Sequence, residues 1–140
     1  MIKLAGDKGM SSLLGRRTAT IEVSVAELID RVTILRLKVA RSARPSPPAF
    51  EEQLHRYLGE LECLNVEGVT ADLHRFLQRV NGMLWHLESE IRNCEAARDF
   101  GTRFICVSRM IRRLNDRRVR IKARIDELCR SEFRETKSYT

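Results

Sequence analysis

Glycine and proline are scarce in this 140-residue chain. Of seven glycines three fall before residue 16, and the three prolines all lie between residues 45 and 48, so long helices can run unbroken through the remainder. One Trp, two Tyr and five Phe are too few to supply the interleaved stacking platform of single-strand nucleic-acid binders. No run of about 18 apolar residues is present, which excludes a membrane-spanning helix. The opening stretch carries basic residues without a clean apolar segment and cleavage site, so no secretory signal is read. There is no P-loop, dinucleotide fingerprint, HExxH zinc motif or nucleophile elbow. Cys63, Cys94, Cys106 and Cys129 form no CxxC pair and read as free thiols of a reducing cytoplasm. His55, His74 and His86 have no ligand spacing and read as surface or hairpin-face residues. No metal, cofactor or catalytic residue is expected.

What the chain does have is charge and helical periodicity. Charged residues make up 32% and the net charge is +7. Residues 103–130 hold ten basic side chains against three acidic ones, which equals the excess of the whole chain. Leu73, Leu77, Val80, Leu84, Leu87, Ile91 and Cys94 recur at alternating spacings of four and three, the mark of one helix seam packed on a partner. Phe104, Val107, Ile111, Leu114, Arg118, Ile121, Ile125 and Leu128 keep the same rhythm, with one arginine among them. The two stretches predict an antiparallel hairpin over about 71–99 and 103–130, folded at Phe100-Gly101-Thr102. Pairing its arms sets Cys94 against Cys106, Trp85 level with Asn115, and Arg118 opposite Gly82, whose missing side chain would make room for the arginine.

Two shorter helices precede the hairpin. Ser24-Val25-Ala26-Glu27 is a capping box that opens the first, which runs to about Arg41. Its apolar residues cover so much of the circumference that burial against more than one neighbour is expected, making it the centre of the packing. Asp30 and Thr33 lie inside that apolar stretch, and a carboxylate there requires a partner. The prolines end this helix, and Ser46 with Pro47 can start the second, whose seam is Phe50, Leu54, Tyr57, Leu61 and Leu64. A turn around Gly68 leads to Thr70 and Asp72 at the start of the third. The fold class is all-α: a coiled-coil-like helical hairpin with two shorter helices packed on it, a four-helix assembly. Residues 1–20 read as a flexible leader, with Met10 an alternative start; 21–130 as one helical domain, entered through a short extended Ile21-Glu22-Val23; and 131–140 as a polar tail.

Two constellations are candidates for function. The first is a polar cluster of Asn81, Trp85, Glu88, Arg92, Asn115, Asp116 and Arg118. It reads either as an internal network fixing hairpin register or as a receiver of an anion, since a guanidinium at a seam position suits bidentate contact with carboxylate or phosphate. The second is an anion-binding face of Arg109, Arg113, Arg117, Arg120 and Arg124, spaced to follow a phosphate backbone. Its plainer reading is a solvated face paired with acids of the second and third helices.

The segments VSVAELIDRVTILRLKVARS, LWHLESEIR, DFGTRFI and NDRRVRIK and the closing KSY resemble a family of small uncharacterised bacterial proteins classed as a domain of unknown function. The resemblance spans about residue 21 to the end and implies a bacterial, cytoplasmic helical domain. It supplies no activity and no functional residues. It also implies that Lys137, Ser138 and Tyr139 dock or bind.

The leading expectation is a noncatalytic helical interaction or scaffold module, self-associating or bound to a partner protein. The alternative is a nucleic-acid or phosphate-binding accessory protein using the arginine face. A third is a small-molecule enzyme with a pocket lined by Arg31, Arg36, Lys38, Arg118 and Glu88.

Overall fold

A computed structural model describes residues 17–42 and 47–138, the stretch 131–138 by its backbone alone. Among the described residues there are four helices and no strand: α1 Val25–Arg41, α2 Pro48–Leu64, α3 Glu67–Ala96 and α4 Thr102–Ser138. Residues 17–24 form no regular element. Met10 and most of the expected leader, Ser46, and Tyr139 lie outside the described residues.

Each helix end shows which residues set it. Ser24 Oγ accepts from the Glu27 N–H at 3.2 Å, one half of the expected capping box. The Glu27 carboxylate does not complete it, because Arg31 and Lys122 hold it instead. A second acceptor for the α1 N-terminus comes from α4, where Asp126 Oδ1 receives the Ala26 N–H at 3.0 Å. Helix α2 begins one position later than expected, with Pro47 as its N-cap and no side-chain cap bond.

The turns differ from the glycine-centred ones the sequence suggests. Between α2 and α3 the left-handed residue is Asn65 (φ 52°), a residue whose short polar side chain tolerates that region. Gly68 therefore lies inside α3, which starts at Glu67 and not near residue 71. Thr70 is not a cap but a buried residue of the first turns, its hydroxyl donating to the Val66 carbonyl at 2.9 Å. At the hairpin tip the left-handed residue is Arg98 (φ 53°), not Gly101. The Asp99 N–H bonds to the Cys94 carbonyl at 2.9 Å and the Arg98 N–H to that of Glu95 at 3.1 Å, the paired bonds of a Schellman motif. Asp99 Oδ1 then accepts from the Gly101 N–H at 3.2 Å, and α4 follows. It continues past residue 130 to Ser138, where a loose tail was expected.

Packing is centred on α1, which lies against each of the other three helices, while α3 and α4 pack on each other. Ala26 and Ile29 meet Leu77 of α3 and Ile125 of α4 in one cluster. Leu28, Val32 and Leu35 meet Tyr57 of α2 in another, and Leu61 touches both. Burying each such Leu or Ile stabilises the fold by roughly 1.5–3 kcal/mol. Two expected neighbours across the hairpin are corrected. A Cβ on Gly82 would lie 4.0 Å from Leu37 Cδ2 and within reach of no atom of Arg118, so this glycine admits α1 and not the arginine. Cys94 is 1% exposed in the seam while Cys106 faces solvent, because Val107 takes the inward position one residue on.

Replacing Arg98 with glycine removes the cost of holding a residue with a Cβ in the left-handed region and is expected to stabilise the protein by about 1 kcal/mol. Thermal unfolding followed by circular dichroism would then show Tm raised by about 3 °C or more. An unchanged or lower Tm would show that the Arg98 side chain makes compensating contacts.

Candidate functional site

The polar centre of the molecule is assembled by three helices. Asp30 of α1 is 1% exposed. Its Oδ1 accepts from Arg118 Nε and from Asn81 Nδ2, each at 2.9 Å, and its Oδ2 accepts from Arg118 Nη2 in a short contact. Arg118 from α4 thus grips the carboxylate with two parallel bonds, the strongest geometry such a pair adopts. Thr33 closes the α1 side: its hydroxyl donates to the Asp30 carbonyl at 2.7 Å and accepts from Asn81 Nδ2 at 2.6 Å. Lys122, one turn beyond Arg118, places Nζ 3.7 Å from Asp30 Oδ2 and 2.6 Å from Glu27 Oε2. Glu27 in turn accepts from Arg31 Nε at 3.1 Å.

Electrostatics agree with this geometry. Burial acts to raise the Asp30 carboxyl, but the hydrogen bonds from Arg118 and Asn81 and the charges of Arg118 and Lys122 outweigh it and hold the group below its ordinary range. Lys122 does most to depress Glu27. The bond to Asp30 raises Arg118 further above its already high value. Every oxygen of the Asp30 carboxylate is engaged by protein, so the cluster holds helices together and offers no vacant position to a ligand.

Of the polar cluster expected from the sequence, Asn81 and Arg118 come together here, and their true partners are Asp30 and Thr33. Trp85 is half-buried a turn further along α3, its carbonyl accepting from Ser89 Oγ at 3.2 Å. Arg92 is exposed and donates to the same Ser89 hydroxyl, also at 3.2 Å. Glu88 is exposed and acts on Arg118 only through its charge. Asn115 is half-buried and Asp116 exposed, neither bonded into the network. Sequence reading had isolated Asp30 as a carboxylate needing a partner and Arg118 as an arginine needing an acid, without joining them. It missed Glu27, Lys122 and Asp126; the one available signal was that Arg118, Lys122 and Asp126 recur every four residues on α4.

Arg109, Arg113, Arg117, Arg120 and Arg124 are all exposed. Arg124 pairs with Glu127 on its own helix at 3.1 Å. The other four have no ion-pair partner among the described residues, so pairing with acids of α2 and α3 does not occur there. The arginines and lysine suggested for an enzyme pocket do not converge: Arg31 binds Glu27, Arg118 binds Asp30, and Lys38 lies over the Phe50 ring at 5.4 Å. Arg36 instead lines a separate cavity with His74, which is half-buried. Among the described residues no group of His, Cys, Asp or Glu is arranged to hold a metal ion, and no helix is long and apolar enough to cross a membrane.

Residues 19–140 match a family of unknown function (DUF6165), and the chain belongs to that family. No curated protein and no solved structure matches it.

Asp30→Asn strands the Arg118 charge half-buried and is expected to cost about 3 kcal/mol in urea unfolding. Replacing both partners, as Asp30→Leu with Arg118→Met, is expected to restore most of that loss. Because Asp30 and Glu27 titrate low in the folded state, their contribution is complete above the unfolded carboxyl value of about 4 and disappears as pH falls through the folded values. The stability gap between wild type and Asp30→Asn should therefore close as pH falls below about 4 and through the depressed folded value. A gap that persists in acid would mean that the carboxylate charge is not what joins the helices.

Proposed function

We propose that this protein is a noncatalytic helical interaction module that self-associates through the side of the α3/α4 hairpin turned away from α1. The single observation that carries this reading is an uncovered apolar stripe. Helix α1 meets α3 through Leu77, Gln78, Asn81 and Gly82. Val69, Phe76 and Met83 recur seven residues apart on the opposite flank and are 42%, 51% and 44% exposed. On α4 Met110, 47% exposed, lies one turn before the half-buried Leu114. A two-helix layer needs a further layer on each apolar face, and α1 supplies only one.

The occupant that fits is a second copy. Helix α3 carries five acidic residues (Glu67, Asp72, Glu88, Glu90, Glu95) against three arginines, whereas α4 carries the basic excess of the chain. Two hairpins packed face to face about a twofold axis set the acidic helix of each beside the basic helix of the other, a self-complementary arrangement. The product is a four-helix bundle with α1 and α2 on its outer sides. Arg109, Arg113, Arg117 and Arg120, without an ion-pair partner among the described residues, favour a second reading, in which the same basic helix follows a phosphate backbone.

Sedimentation equilibrium is expected to show a concentration-dependent dimer, and Phe76→Lys with Met83→Lys, both at exposed positions, to yield a monomer with unchanged helical circular dichroism. Wild type that remains monomeric at about 100 μM, well above typical specific dissociation constants, would overturn self-association. Fluorescence anisotropy with a labelled duplex provides the other outcome: binding by monomeric wild type that weakens steeply with salt and is lost in Arg109→Ala with Arg113→Ala would assign the face to nucleic acid.

A further inference from the structure

A cavity of about 300 Å³, partly open to solvent, lies at the corner where α2 turns into α3 against α1. Its apolar wall is Ile29 of α1 with Leu58 and Leu61 of α2. Around it stand Arg36 of α1, Glu62 of α2, and Glu67 and His74 of α3. The contrast with the Asp30 network is the informative point. There every charged group is bonded, while here none of the four titratable side chains has a hydrogen bond or ion pair among the described residues. Both signs of charge therefore face one cavity without forming a direct ion pair among the described residues. That leaves donors and acceptors available to a ligand whose own charges are also of both signs, and the volume lies at the lower end of small-molecule sites.

We infer that this cavity binds a small zwitterion of the α-amino-acid type with an apolar side chain. Arg36 and the His74 imidazole receive the carboxylate, Glu62 and Glu67 receive the ammonium group, and Ile29, Leu58 and Leu61 receive the side chain. A guanidinium takes a carboxylate bidentately, and the two carboxylates that line the same cavity accept from the ammonium group. This site is independent of the hairpin face, since its lining comes from α1, α2 and the first turns of α3.

Protonation follows from the same set of groups. Burial, aided by the nearby Arg36 charge, lowers His74 from its ordinary value, and Glu67 opposes this. A bound carboxylate offsets the Arg36 charge and stabilises imidazolium, so binding takes up a proton and tightens as pH falls toward and below the ordinary imidazole value near 6.5.

The test is isothermal titration calorimetry of the full chain with L-leucine, with 4-methylpentanoate, which lacks the amine, and with isoamylamine, which lacks the carboxylate. Leucine is expected to bind, each one-charge analogue to bind about tenfold or more weakly, and Arg36→Ala, at an exposed position, to abolish binding in a folded protein. His74→Gln is expected to retain binding but lose its pH dependence. Equal binding of leucine and either analogue, binding unaffected by Arg36→Ala, or no heat with leucine or L-phenylalanine at about 10 mM would overturn the assignment. Because the Phe76 and Met83 variants leave this cavity untouched, failure here and failure of dimerisation are separately visible.

Discussion

The ionised Asp30 carboxylate is the constraint on which the arrangement of helices depends. It is the one acidic group fully removed from water in the described core, and a buried charge is tolerated only where hydrogen bonds and opposite charge replace its hydration. Arg118 and Asn81 provide these from two different helices, so α1 can lie in the groove of the hairpin at only one height. Apolar contacts alone do not discriminate so strongly between neighbouring registers, because Leu, Val and Ile along a heptad seam exchange with little change in burial. A single polar group at a seam specifies register in coiled coils, and here the same device operates among three helices. Lys122, Glu27 and Arg31 extend the network toward the N-terminus of α1, where Asp126 accepts a backbone N–H that would otherwise be unpaired.

The molecule has two kinds of polar surroundings, and they differ in how completely charge is satisfied. In the network around Asp30 donors and acceptors are matched within the protein. Around Arg36 and His74, and along the arginines of α4, charge is displayed without partners among the described residues. A matched cluster fixes structure; an unmatched one is available for association. The family to which the chain belongs is one of unknown function, and the two proposals rest on different grounds, the uncovered apolar stripe at the hairpin face and the unmatched groups at the corner cavity.

Much of the fold was legible from spacing. The alternation of four and three along α3 and α4 gave the hairpin, and the wide apolarity of α1 gave its central position with contacts to every other helix. Individual side chains were read correctly where burial forced a conclusion: Asp30 in an apolar helix had to have a partner. The choice of partner was not legible, because it depends on where α1 lies along the hairpin, which neither helix encodes by itself. The expected polar cluster grouped Asn81 with Arg118, yet pairing the arms also assigned Gly82 to Arg118 when the glycine faces Leu37. The turns failed for a different reason. The turns were placed around Gly68 and at Phe100-Gly101-Thr102, whereas Asn65 and Arg98 are the left-handed residues and satisfy the helix-end carbonyls. The cavity beside His74 was not legible, because an isolated histidine on an amphipathic helix gives no sign that a neighbouring corner will enclose it.

The bonds between α1 and α4 join residues far apart along the chain. Asp30 to Arg118 closes 88 residues, Glu27 to Lys122 closes 95 and Ala26 to Asp126 closes 100, whereas Glu90 to Arg103 across the hairpin closes 13. For flexible chains the logarithmic growth of closure entropy makes the longer connections costlier by about 2 kcal/mol. The matched ionic network thus lies where ordering the polymer is most expensive, while the hairpin, with its short return, holds its arms together largely through apolar contact.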